Sequence, residues 1–105
     1  MLTKEQLKAI EKVLSISESQ RDPFRRYAIL AMQMWDIAKC IEYMKAYSGD
    51  EFTYKAHKAH LKTALGDLLV QTVIMCILYD FDVNEILELG IERLKEFRRK
   101  KGFTE

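Results

Sequence analysis

The chain is poor in residues that break helices. It has one proline and four glycines in 105 residues. So few breakers favour long helices over a strand-rich fold. No segment alternates polar and apolar residues with the period of two that marks a half-buried strand, and no internal repeat or low-complexity tract appears. Neither sign of charge dominates: the net charge of +1 leaves no global basic field to hold nucleic acid. The only cysteines, Cys40 and Cys76, lie in apolar segments away from any Cys-x-x-Cys or Cys/His zinc spacing. Both read as reduced core residues of a cytoplasmic protein. The opening Thr3-Lys-Glu-Gln-Leu-Lys-Ala is charged and unlike a signal peptide. The apolar run Ala64–Tyr79 falls short of the roughly 20 residues of a membrane span, and Asp67 and Gln71 interrupt it. No Gly-rich phosphate loop and no Ser/His/Asp order is present.

What is there reads as one folded, all-α domain over residues 1–105 with four main helices: 49% of its residues are hydrophobic and 31% charged. Thr3 with Gln6 forms a capping box that opens a first helix within residues 1–20, whose stripe is Leu7, Ile10, Val13 and Leu14. The core of the domain is expected over residues 22–101. Asp22 followed by Pro23 starts a second helix running to about Tyr47, and Ser48-Gly49-Asp50 stops it and restarts the chain. The third helix spans about Phe52 to Tyr79. Asp82 with Glu85 starts a fourth, which ends near Lys101-Gly102 in a basic turn, Arg98 to Lys101, that complements the helix dipole. The third helix is apolar on several faces in its second half, more than one small chain covers, which implies a homodimer or a dimer of dimers. Trp35, Tyr43, Tyr47, Phe81 and the methionines at 32, 34, 44 and 75 read as core or oligomer interface.

Two aspartates sit in these apolar helices, Asp36 in the second and Asp67 in the third. A carboxylate buried without a partner costs several kcal/mol or stays protonated, so two of them suggest a shared polar site in the core. Gln33, Asp36 and Cys40 share one face of the second helix; His60, Ala64, Asp67 and Gln71 share one face of the third. An antiparallel pairing through the short connection brings the two faces together. Asp36 and Asp67 then suit one divalent cation, and oxygen ligands with retained waters favour magnesium or manganese. The competing reading is an ion pair or hydrogen bond to Lys, Arg or Gln. Gln33 and Gln71 serve equally as amide partners of the aspartates or as groups orienting water. His57 reads as part of a solvated face.

The segment Leu65-Gly-Asp-Leu-Leu, continuing through an apolar stretch into Tyr79-Asp-Phe-Asp82-Val-Asn-Glu, resembles the MazG-like, all-α nucleoside triphosphate pyrophosphatases. In that superfamily a Glu-x-x-Asp motif leads through an apolar helix to a Leu-Gly-Ile-Asp turn, and the spacing from Asp67 to Asp82 agrees without a gap. Met32-Gln-Met-Trp-Asp36 fits the upstream Glu-Glu-x-x-Glu segment, with Asp36 at its last acidic position. The similarity covers roughly residues 24 to 100.

The resemblance implies cleavage between the α- and β-phosphates of a nucleotide with magnesium held by acidic residues. Here Met32 and Gln33 stand at the first two acidic positions and Ala64 at the glutamate of Glu-x-x-Asp. The expected function is therefore binding of a nucleotide or another phosphorylated small molecule, with weak magnesium-dependent pyrophosphohydrolase activity. Asp36 and Asp67 would ligate the metal, Gln33 would position water, and His60 or Lys62 would contact phosphate. The alternative is a catalytically inactive helical oligomer that acts as an interaction or structural protein.

Overall fold

A computed structural model describes residues 2–100 and 102. Within them the chain is all-helical: α1 (Lys4–Leu14), a 3-10 turn (Glu18–Arg21), α2 (Pro23–Ala46), α3 (Glu51–Leu78) and α4 (Val83–Lys100). Lys101, the last residue of the expected basic turn, lies outside the described residues.

The helix starts follow side-chain chemistry. Thr3 Oγ1 accepts from the Gln6 amide at 3.0 Å while Gln6 Oε1 accepts from the Thr3 amide at 2.9 Å, a complete capping box. Asp22 accepts from the Phe24 amide at 3.1 Å ahead of Pro23. Asp50 caps α3 by accepting from the Thr53 amide and hydroxyl at 3.3 and 2.8 Å. These bonds hold the Asp50 carboxyl below its ordinary pKa, the Thr53 hydroxyl contributing most. Asp82 accepts from the amides of Asn84 and Glu85 at the start of α4. The 3-10 turn over Glu18–Arg21 has no counterpart among the helices expected from the sequence.

α3 ends in a Schellman motif: the Phe81 amide donates to the Cys76 carbonyl at 2.7 Å and the Asp80 amide to the Ile77 carbonyl at 3.2 Å. Asp80 takes the left-handed position, φ 59°, that glycine usually fills. Gly102, φ 81°, fills the corresponding role after α4, as its position in the sequence suggests.

α2 and α3 form an antiparallel hairpin that carries most of the tertiary packing. Arg26 at the start of α2 meets Gln71 late in α3, while Tyr43 late in α2 meets His57 early in α3. Among the described residues the buried apolar side chains are few: Leu14, Cys40, Ala64, Val73, Ile74 and Cys76. Cys40 and Cys76 are unpaired thiols, and burial pushes the Cys76 thiol above its usual pKa. Among the described residues Arg26 is the one buried charge, 4% exposed. Its guanidinium donates to the Gln20 carbonyl at 2.7 Å, to Gln71 Oε1 at 3.3 Å and to Gln20 Oε1, all neutral oxygens. Burial first, and the charge of Arg25 second, pull its pKa below the ordinary value. This cluster ties the 3-10 turn to both hairpin helices.

The remainder is open. α4 buries none of its residues, and Trp35 and Met32, expected in a core or an interface, are 66% and 65% exposed. The accessible surface is 8534 Å², whereas a folded monomer of 12.4 kDa exposes about 6,100 Å². The radius of gyration is 17.0 Å against about 13 Å for a compact chain of this length. α3 is long and apolar enough to cross a membrane by length and composition alone, with mean hydropathy 1.7 over its most apolar 18 residues. The helix extends 13 residues before Ala64, where the apolar run begins, so its length exceeds that of the run itself.

Candidate functional site

The two polar faces meet. A cavity of about 340 Å³ opens between α2 and α3, lined from α2 by Gln33, Asp36, Lys39, Cys40 and Tyr43 and from α3 by His57, His60, Thr63, Ala64 and Asp67. Four of the five residues singled out in the sequence, Gln33, Asp36, His60 and Asp67, therefore face one space. The fifth does not: Lys62 turns to the opposite side of α3, where it lines a shallow concavity with Lys58, Leu61 and Leu65. A helix turns about 100° per residue, so Lys62 sits nearly opposite the stripe that His60 and Asp67 share.

The aspartates are not buried, which corrects the expectation that first drew attention to them. Asp67 is exposed, and the Asp36 side chain keeps 48% of its accessibility. The apolar neighbours of Asp67 in sequence lie on other faces of α3, so the carboxylate reaches the cavity mouth and stays solvated. Asp36 pairs with Lys39 at 3.8 Å, one helical turn on. At that exposure the pair contributes little to stability, but it places an ammonium group at the cavity. Gln71 is an acceptor for Arg26, not an amide partner of either aspartate.

His57 also departs from its sequence reading. It is half-buried at the far end of the cavity, stacked on Tyr43 with ring centroids 4.9 Å apart and on Tyr47 at 6.2 Å. His60 meets the His57 ring edge-on at 6.3 Å. Of the cavity residues, Lys39 carried no expectation, Tyr43 was expected in a core or oligomer interface and His57 on a solvated face. Their signal was spacing: Asp36, Lys39, Cys40 and Tyr43 form one helical stripe, as do His57, His60, Ala64 and Asp67.

The lining gives hard oxygen donors on the α2 and α3 walls and an aromatic–imidazole wall at one end. Two carboxylates against one ammonium make the cavity acidic when both histidines are neutral. A bare anion is repelled there, and a cation or a cation-bridged anion is favoured. Among the described residues no three His, Cys, Asp or Glu side chains come close enough to hold a metal ion together. Asp36 and Asp67 are the two carboxylates that line the cavity. The chain matches no family model, no curated protein and no solved structure.

Proposed function

We propose that this chain is a divergent MazG-like protein of the cytoplasm. In this reading it works as a homo-oligomer and binds a nucleotide or another phosphorylated small molecule in the α2–α3 cavity. The observation that carries the reading is the convergence of Gln33, Asp36, His60 and Asp67, from two helices, on one space. Asp36 and Asp67 are the residues to hold magnesium or manganese, with water in the remaining positions. The metal supplies the positive charge that lets phosphate oxygens approach two carboxylates. Gln33 orients a water through its amide, and His60 at the mouth donates to phosphate. Lys62, on the opposite side of α3, has no part at this site; Lys39 is the cation that lines it. With two acids only, hydrolysis of a phosphoanhydride is expected to be weak.

A second reading, an inactive helical protein that serves as a scaffold or interaction partner, draws on two other observations. The aspartates are solvated and so exact no cost that function must explain, and a large apolar surface is uncovered. Pyrophosphate release separates the two. Ribo- and deoxynucleoside triphosphates are incubated with magnesium or manganese and the wild-type, Asp36→Asn or Asp67→Asn protein. Activity that both substitutions abolish supports the first reading, and silence across the panel supports the second.

A further inference from the structure

The two ends of the α2–α3 cavity differ in charge. Tyr43 of α2 stacks on His57 of α3, and in an antiparallel pair each turn back along α2 is matched by a turn forward along α3. From that contact the lining passes Cys40 and His60 and reaches Gln33 and Asp67. Along α3, Asp67 stands about 10 Å from His60 and about 15 Å from His57 by the rise per residue. Between the ends, Asp36 and Lys39 pair with each other at 3.8 Å, so their charges offset. The histidine end is therefore close to neutral while both imidazoles are neutral, and gains two positive charges when both are protonated.

We propose that Lys39, His57 and His60 form a metal-independent site for a tetrahedral oxyanion, such as a phosphate group, that opens when both imidazoles are protonated. The inference rests on the phosphate-binding reading above and adds a second mode to it.

The donors are in place. An imidazolium carries two N–H donors and no acceptor. Among the described residues neither ring makes a hydrogen bond or an ion pair, so those donors are left for a ligand. The groups facing the two rings are Asp36, Lys39, Cys40 and Tyr43 from α2 and Asp67 from α3. Tyr43 and Tyr47 lie over His57 at 27° and 16° between planes, and aromatic faces stabilise a cation without neutralising it. His60 meets His57 edge-on at 6.3 Å, near enough that two imidazoliums repel, and a dianion bound to both offsets that repulsion. Proton uptake and oxyanion binding are thus linked, each favouring the other. The ordinary pKa of histidine, about 6.5, lies in the physiological range, so this mode strengthens as pH falls through the histidine range and fades as it rises. Magnesium follows the opposite order, because the added positive charges repel a cation from the neighbouring carboxylates.

Isothermal titration calorimetry of the purified chain with inorganic sulfate, in the presence of EDTA, tests the proposal. Sulfate keeps both its charges from about pH 5.5 to about pH 7.5, either side of the ordinary histidine value. Wild type is expected to bind sulfate at least about tenfold tighter at the lower pH. It is also expected to take up protons on binding, read from the dependence of the heat on the buffer. The variant carrying His57→Phe and His60→Gln is expected to bind weakly and equally at both pH values, with no proton uptake. Phenylalanine keeps a ring against Tyr43 and Tyr47, and His60 is exposed, so the variant retains the fold. Sulfate binding that is absent from wild type at the lower pH, or that the variant matches, overturns the oxyanion site. Inorganic pyrophosphate with magnesium at the higher pH reads the other mode separately. Binding there, lost in Asp67→Asn, leaves the phosphate reading standing where sulfate fails, and no binding of either anion overturns both.

Discussion

The two sides of α3 are built to different rules. The side facing α2 buries Ala64 and Ile74 and displays a mixed polar cavity. The opposite side carries Leu65 and Leu69, 49% and 65% exposed, and is largely open. On the first side polar residues gather where an apolar helix could have closed completely; on the second, apolar residues lie where water could have been met with charge. The polar face lines an open cavity, and the apolar face is left uncovered by this chain. Hydrophobic side chains mark packing only when something covers them.

The largest expected effect separates true core from uncovered apolar surface. Leu14, 1% exposed, is expected to cost about 3 kcal/mol as Leu14→Ala in urea unfolding, the usual toll of removing a fully buried leucine. Leu69→Ala, measured at high dilution, is expected to cost less than ~0.5 kcal/mol. Equal costs would mean that the far side of α3 is covered within one chain, and the comparison would fail.

Next comes the clasp on the packed side. Arg26→Leu leaves Gln20 and Gln71 without their donor and is expected to cost roughly 2 kcal/mol by the same measurement. A neutral or stabilising outcome would show that desolvating the guanidinium outweighs its bonds.

A smaller effect of opposite sign is expected where α3 ends. Asp80 at φ 59° holds a conformation that glycine adopts without strain, so Asp80→Gly is expected to gain about 0.5–1 kcal/mol, read as a raised urea midpoint. The smallest is a pH effect at the other end of α3. The Asp50 carboxyl is depressed below its ordinary value of 3.8 in the folded chain, so its cap stabilises above that pH and is lost as pH falls below it. Asp50→Asn keeps the cap oxygen and is expected to flatten that part of the acid limb in a pH series of thermal melts.

Helix starts were the most legible feature. Thr3, Asp22, Asp50 and Asp82 each announce a helix through a local hydrogen bond that a few adjacent residues decide. The cavity was legible as two stripes of spacing three and four, because a short turn leaves an α-hairpin one antiparallel arrangement. Burial was not legible. Asp67 looked buried because its sequence neighbours are apolar, but a helix sends those neighbours to several faces, and only tertiary packing decides which faces close. His57 looked solvated because Tyr43 and Tyr47, which cover it, belong to the other helix. Arg26 gave no signal at all: one of its acceptors, Gln71, lies 45 residues away.

Thermal stability against magnesium concentration, for wild type and Asp67→Asn, tests the site most directly. A ligand that binds only the folded chain stabilises it by about 1.4 kcal/mol when present at ten times its dissociation constant. Wild type is expected to show a saturable rise in melting temperature with magnesium, deepened by a nucleoside triphosphate and absent from Asp67→Asn. Identical, flat curves for the two proteins would contradict a divalent-cation site between Asp36 and Asp67.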